Sequence, residues 1–420
     1  MKPKEKRNYL NLIDNFGRNI DYLRLSVTDR CNLRCFYCNP YNIDNLTYLK
    51  RSEVLSFEEI ILSVKILTEL GIKKVKITGG EPLIKDNIIY LIKKIKGINK
   101  IEDVSITTNG LFLGKYLREL KSAGVERLNI SIDSLDEKNY SIITGGGNLK
   151  IVLNNLFSAI NLGFNEIKIN TVVTSFLNRN DIINFINLVK SFPISVRFIE
   201  QMPILKVNNN SSNSSKNNNN NKNNNNSNSN NNNNNNSSSN SNNNYNNNNN
   251  NNNDDGDVKA IVSTKANNTK TIKTKAIDVS SNKKFNLADI LKIIEEDGSC
   301  YKAEEKKGFG PAVYYKSNAW KGYIGFIENN ENSCSYCNRI RLTAEGKLKI
   351  CLFSDIQYDL KSKLRNNTHP NLIKKDIVEF VKTKPINRNF LKCTKNTKID
   401  ESCLGEIKEK IPQSMNIIGG

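Results

Sequence analysis

"KKVKITGG", residues 73–80, alternates in a way that decides what kind of sheet it belongs to. Lys74, Lys76 and Thr78 fall on one side of an extended chain, Val75 and Ile77 on the other, because successive side chains of a strand point to opposite faces. Four further stretches repeat the pattern. "YLRLSVT" (22–28) sets Arg24, Ser26 and Thr28 against Leu23, Leu25 and Val27. "DVSITTNG" (103–110) sets Ser105, Thr107 and Asn109 against Val104 and Ile106. "RLNISIDS" (127–134) sets Arg127, Asn129, Ser131 and Asp133 against Leu128, Ile130 and Ile132, and "EIKINTVV" (166–173) sets Lys168 and Asn170 against Ile167 and Ile169. The sheet therefore has one polar and one apolar face.

Helical runs lie between these strands. Strands are expected at 22–28, 74–78, 103–107, 127–133, 166–173 and 195–201, and helices at 57–70, 87–96, 114–123, 151–162 and 181–191. Gly71, Gly124 and Gly163 stand just past helix ends, where such residues close the last turn. Regular strand–helix alternation means βαβ units and a parallel sheet. A buried parallel sheet or a filled eight-stranded barrel would read as nearly continuous apolar runs. The polar face instead implies a hollow, with helices covering the apolar face. The expected fold is α/β, an incomplete (β/α)6 TIM-type barrel over residues 12–203. Residues 204–282 form an Asn-rich low-complexity stretch, too poor in apolar residues to offset its ordering entropy. An inert insertion is favoured over a prion-like assembly segment. A C-terminal region, 283–420, opens with an amphipathic helix in "KFNLADILKIIEEDG".

Nine cysteines without a secretory signal favour metal or redox chemistry over disulfides. Six form two tight groups. Cys31, Cys35 and Cys38 follow the first strand, at the carboxyl end where parallel α/β proteins place their sites. Cys334, Cys337 and Cys351 form the second group. A cubane iron–sulfur cluster normally takes four thiolates, so three leave one iron open. Zinc with a fourth ligand is the competitor, and for the second triplet alone a zinc ribbon is the default. The single histidine, His369, sits in a polar "NNTHPN" loop away from both groups. Its isolation also leaves ordinary acid–base catalysis poorly supplied. Arg339 and Arg341, two residues apart, would face the same way on an extended segment and could fork onto phosphate. "TGGEP", 78–82, offers glycines that admit a ligand to the backbone.

"RCNLRCFYC" followed by "TGGEP" resembles the radical S-adenosylmethionine (SAM) superfamily. "DNFGRNIDYLRLSVTDRCNLRCFYC", "SITTNG", "LNISIDSLD", "VRFIEQMP", "GPAVYY", "CNRIRLTAEGKLKICLF" and the terminal "IGG" resemble one branch of it, the GTP 3′,8-cyclases of molybdenum cofactor biosynthesis. The resemblance implies that Cys31, Cys35 and Cys38 hold a 4Fe–4S cluster whose open iron takes SAM, and that a second such cluster on Cys334, Cys337 and Cys351 takes the guanine of GTP. Tyr37, Gly80, Ser131 and Met202, with Glu81 in the same turn, match SAM-contacting positions. Arg24, Lys76, Thr107, Lys168, Arg339, Ile340 and Arg341 match GTP-contacting positions, and Arg197 lies on a matching strand. Lys76 stands where the family usually has Arg, which keeps the charge but loses the bidentate fork. Gly419 and Gly420 match a tail that reaches into the active site. The implied reaction begins with a SAM-derived radical taking hydrogen from C3′ of the ribose and ends in 3′,8-cyclo-7,8-dihydro-GTP. Positioning matters more than acid–base power in such a step.

The implied partners are GTP, an electron donor and the synthase that makes cyclic pyranopterin monophosphate, and a homodimer is a further expectation. No run reaches the roughly eighteen apolar residues of a membrane span. The net charge of +20, from 62 Lys and Arg against 42 Asp and Glu, suits an anionic ligand, although Lys-rich composition accounts for most of it. A zinc-bearing nucleic-acid binder would need aromatic residues interleaved with basic ones, and none lies between Cys337 and Cys351. A radical SAM enzyme acting on a peptide would carry a larger cysteine set after the barrel. The mitochondrial matrix and the cytoplasm both stay open, with little room for a transit peptide ahead of the matching region.

Overall fold

A computed structural model describes residues 11–38, 48–202, 285–304, 310–329 and 334–387. The chain divides into two compact units, 1–206 together with 279–420, and 207–278. The second unit lies outside the described residues, and with it the inert-insertion expectation.

The first unit begins with six strands joined by five helical crossovers, the fourth of which holds two helices. The strands are β1 (Tyr22–Ser26), β2 (Lys74–Thr78), β3 (Asp103–Thr108), β4 (Arg127–Ser131), β5 (Glu166–Val173) and β6 (Ser195–Glu200). The helices are α1 (Phe57–Glu69), α2 (Ile88–Lys96), α3 (Leu113–Ser122), α4 (Glu137–Thr144), α5 (Leu149–Asn161) and α6 (Arg179–Ser191). Local chemistry sets their ends. Ser56 and Glu59 form a reciprocal capping box at α1, and Asn148 and Asn178 cap α5 and α6.

Each helix turns an apolar stripe onto the sheet: Ile60, Val64 and Leu67 of α1, Leu91, Ile92 and Ile95 of α2, Ile182, Phe185 and Val189 of α6. They meet the strand residues of apolar parity, Leu23, Leu25, Val75, Ile77, Val104, Ile106, Leu128, Ile130 and Ile169, all buried in one core. Each such side chain contributes about 1.5–3 kcal/mol when removed from water.

After the insertion come α7 (Leu287–Glu296), β7 (Tyr301–Lys302), β8 (Val313–Lys316), β9 (Tyr323–Ile327), β10 (Arg339–Leu342), β11 (Lys347–Lys349), β12 (Gln357–Asp359), α8 (Leu360–Arg365) and α9 (Pro370–Lys382). This segment continues the same sheet, whose order is β12-β11-β10-β1-β2-β3-β4-β5-β6-β9-β8-β7. β9 pairs parallel with β6, Val196 opposite Ile324, and β10 pairs parallel with β1, Leu23 opposite Ile340. The six expected parallel strands thus become eight, one added at each edge, and antiparallel strands blunt the outer edges. Alternation could not show this, because β9 and β10 are not followed by the helices that mark a βα unit. Among the described residues no helix is long and apolar enough to cross a membrane.

Candidate functional site

The polar parity of the strands converges on one cavity of about 380 Å³. Arg24, Lys76, Thr107, Ser131, Lys168 and Arg197 line it from β1 to β6, and Arg339 and Arg341 line it from β10. All six cysteines of the two triplets open onto it, as do Tyr37, Gly80, Glu81 and Met202. Ile340 is the exception among described candidates. Its side chain has the opposite parity and is buried in the apolar core, and Ile340 does not line the cavity. Gly419 and Gly420 lie outside the described residues. His369 caps α9, its Nδ1 accepting from the Asn371 amide at 3.3 Å.

The loop carrying the first triplet is held by backbone on two sides. The Gly80 amide donates to the Thr28 carbonyl at 2.7 Å and the Glu81 amide to the Arg30 carbonyl at 2.8 Å. A Cβ on Gly80 would stand 2.1 Å from the Arg30 oxygen, and one on Gly79 2.6 Å from the Thr28 oxygen. The glycines of "TGGEP" therefore admit the triplet's own backbone as well as any ligand. On the other side the Arg34 and Phe36 amides donate to the carbonyls of Thr144 and Ile143, at 2.9 and 3.2 Å. These are the last carbonyls of α4, orphaned by the helix end. Sequence reasoning missed α4, since "DEKNYSIITGGG" has too few apolar residues to show a helical period.

Polar side chains fix the near wall. Glu81, fully buried, accepts from the Leu83 and Asn109 amides and the Thr108 hydroxyl, at 3.0, 2.7 and 2.7 Å. Burial lifts its carboxyl to about 7 against those bonds. The Tyr37 hydroxyl donates to Asp133 at 2.7 Å, and burial lifts Asp133 to about 6. The Asn109 side-chain amide reaches Cys31 Sγ at 3.9 Å. Asp133 and Asn109 carry the polar parity that the alternation displays, yet alternation assigned them no task.

The two triplets differ electrostatically. Burial raises the thiols of the first, Cys31, Cys35 well above its ordinary value and Cys38 to about 12. These become thiolates only when a bound cation compensates their charge. In the second, burial works to raise Cys337, but Arg339 and Lys384 bring it down to about 6. Among the described residues no three His, Cys, Asp or Glu side chains form a group that could hold a single metal ion. A cubane takes each thiolate on a different iron, so it does not require the three sulfurs to meet at one point. The donor set of each triplet, three thiols opening on a shared cavity, fits such a cluster.

The far wall is cationic. Strand register puts Arg341, Arg24, Lys76, Ser105, Arg127 and Glu166 on one continuous rung across β10, β1, β2, β3, β4 and β5. Arg127 pairs with Asp103 and, at 3.5 Å, with Glu166, which also pairs with Lys168 at 2.7 Å. Among the described residues no hydrogen bond or ion pair holds the Lys76 ammonium, which burial and the charges of Arg197, Arg24 and Lys168 push well below its ordinary value. Burial, then Arg339 and Arg197, lowers Arg24 to about 10. Like charges opposite one another on neighbouring strands destabilise a sheet, so this rung is arranged for something other than folding.

Comparison with known proteins agrees with this geometry. Residues 25–189 match the radical SAM superfamily and residues 270–390 match the family described as Molybdenum Cofactor Synthesis C. A GTP 3′,8-cyclase of Petrotoga mobilis is 35% identical over 91% of this chain and 96% of its own, and one of Syntrophomonas wolfei is 34% identical over 90% and 95%. The chain belongs to the GTP 3′,8-cyclase family. Radical SAM membership brings with it SAM and an iron–sulfur cluster. Within the GTP 3′,8-cyclase family frame, the cavity's near wall belongs to the superfamily part of the chain, while Arg339, Arg341 and the second triplet come from the C-terminal match. Streptococcus suis SuiB, crystallised with S-adenosylmethionine, is 18% identical over 44% of this chain and 40% of its own, with a TM-score of 0.36.

Proposed function

We propose that this chain converts GTP to 3′,8-cyclo-7,8-dihydro-GTP, the first step toward the molybdenum cofactor, using two 4Fe–4S clusters. One observation carries the reading: both cysteine triplets and the cation rung open on a single cavity. When bound, the first cluster and SAM supply a carbon radical able to take hydrogen from the ribose of GTP.

The chain's own residues bind and orient. Cys31, Cys35 and Cys38 would hold the first cluster, beside Gly80, Glu81, Ser131 and Met202 as the SAM wall, with Tyr37 set by Asp133. Cys334, Cys337 and Cys351 would hold the second, whose open iron would take guanine. Arg24, Lys76, Arg339 and Arg341 would receive the triphosphate, a charge that cancels the repulsion within the rung. Thr107, Lys168 and Arg197 would hold the nucleoside between the walls. Guanine at the second triplet and SAM at the first would place the ribose between them. That placement supplies the proximity on which a radical ring closure depends. The relatives' names favour a nucleotide over a peptide substrate. The synthase for the next step, an electron donor and a homodimer complete the proposed partners.

Anaerobic reconstitution should give about eight irons per chain if both triplets carry cubanes, falling to about four in Cys334→Ser. Reduced protein with SAM and GTP should release 5′-deoxyadenosine and a cyclised nucleotide. Zinc in place of iron, or 5′-deoxyadenosine without a nucleotide product, would defeat the reading.

A further inference from the structure

Lys384 follows α9, outside the cavity, and only 3% of its surface is exposed. Its ammonium donates to the carbonyl of Arg339 at 2.9 Å and to that of Ile350. Those carbonyls lie on β10 and just past β11, where the ladder, paired at Arg341–Lys349 and Leu342–Leu348, lapses. Arg339 is two residues from Cys337, and Ile350 precedes Cys351. Both hydrogen bonds therefore fall beside ligands of the second triplet, and among the described residues no carboxylate pairs with the ammonium. A buried ammonium without a carboxylate costs several kcal/mol unless another anion compensates it.

Arg18 secures the arrangement. Paired with Asp14 at 2.5 Å, it donates to the carbonyls of Cys334 at 2.7 Å, Pro385 at 2.8 Å, Ile386 at 3.3 Å and Lys384 itself at 3.4 Å. One guanidinium thus binds the first cysteine of the triplet to the backbone that presents the lysine.

We infer that Lys384, held by Arg18, is a positioning residue for the second cluster: it joins the two chain segments bearing Cys337 and Cys351 and supplies the positive charge that offsets the cluster's thiolates. The inference rests on the two-cluster reading above. A cation close to a reducible anion favours the more negative, reduced state.

The test uses reconstituted full-length holoenzyme, with Lys384→Met and Lys384→Arg compared by iron content and by redox titration followed by electron paramagnetic resonance. Lys384→Met should move the second cluster to a more negative potential and weaken its GTP-induced spectral change. The first cluster's potential and its SAM-induced change should stay as in the wild type, and Lys384→Arg should restore the second cluster. If Lys384→Met loses the second cluster's iron, full retention in Lys384→Arg supports the role of charge, and loss in both overturns it. An unchanged potential at full iron content, or an equal shift of both clusters, also overturns it. Wild-type protein holding only about four irons would overturn the two-cluster reading itself, and this inference with it.

Discussion

Replacing Lys76 by methionine should move stability and substrate affinity in opposite directions. The Lys76 ammonium sits across the strand pair from Arg24, which in turn faces Arg341. Directly opposed side chains stand about 5 Å apart, where two unit charges repel by roughly 3 kcal/mol at an effective dielectric of about 20. Splaying of the long side chains and the lowered pKa of Lys76 reduce this, so Lys76→Met should stabilise the ligand-free protein by about 1–3 kcal/mol, a rise of about 2–5 °C in melting temperature. The same change removes a charge-assisted bond to phosphate, which contributes about 1.5–3 kcal/mol. GTP affinity should therefore fall by about 10- to 150-fold.

Thermal melts of wild type and variant, each with and without GTP, read both effects in one assay. A ligand at about a hundred times its Kd stabilises the native state by about 2.7 kcal/mol. GTP should therefore stabilise wild type by about 1–2 kcal/mol more than the variant, closing most of the gap between the two melting curves. A variant that melts below wild type without GTP, and binds GTP equally well, would show that Lys76 serves the fold and that the rung is not a phosphate site.

Gly80→Ala should displace the Arg30 carbonyl and with it the first triplet, so iron should drop by about half while far-ultraviolet circular dichroism is unchanged. Lys168 has its folded pKa lowered to about 8, by burial and by Arg197 against the pull of Glu166. The unfolded chain then holds the extra proton between about pH 8 and the ordinary lysine value of 10.5, so this residue makes stability rise with pH across that window. Denaturant melts of Lys168→Met should lack that component of the rise. Lys76→Arg should tighten GTP by restoring the fork, measured by equilibrium binding. Deleting residues 210–250 should leave cyclase activity nearly intact, because that stretch has almost no apolar residue to pack.

The polar wall was legible because a strand has period two and one buried face forbids slippage. Arg24, Lys76, Thr107, Ser131 and Lys168 could be read from alternation alone, and all of them line the cavity. The cysteines were legible because their spacing is rare outside metal sites. α4 was not, although its last carbonyls hold Arg34 and Phe36, because three glycines and few apolar residues hide its period. Lys384 was invisible for another reason: in a chain with 62 lysines and arginines one more lysine carries no information, and only its burial distinguishes it.

The addition of β10 beside β1 has a consequence for how the site is made. Arg341 reaches the rung only because β10 pairs in register with β1, so the cation rung is assembled from residues more than three hundred positions apart. Arg18 ties the same two regions a second time, from the segment before β1 to the carbonyls of Cys334 and Pro385. A six-stranded half barrel could form from residues 12–203 on local βαβ contacts, yet it would present Arg24 and Lys76 without Arg339, Arg341 or the second triplet. Closure by the C-terminal strands therefore couples folding to site assembly, since it brings like charges together and pairs β10 across a long loop whose closure has its own entropy cost. The compensating terms are the burial of Ile340 and Leu342 in the shared core and the bonds made by Arg18. On the proposed function, a triphosphate would add to them only once the rung is complete.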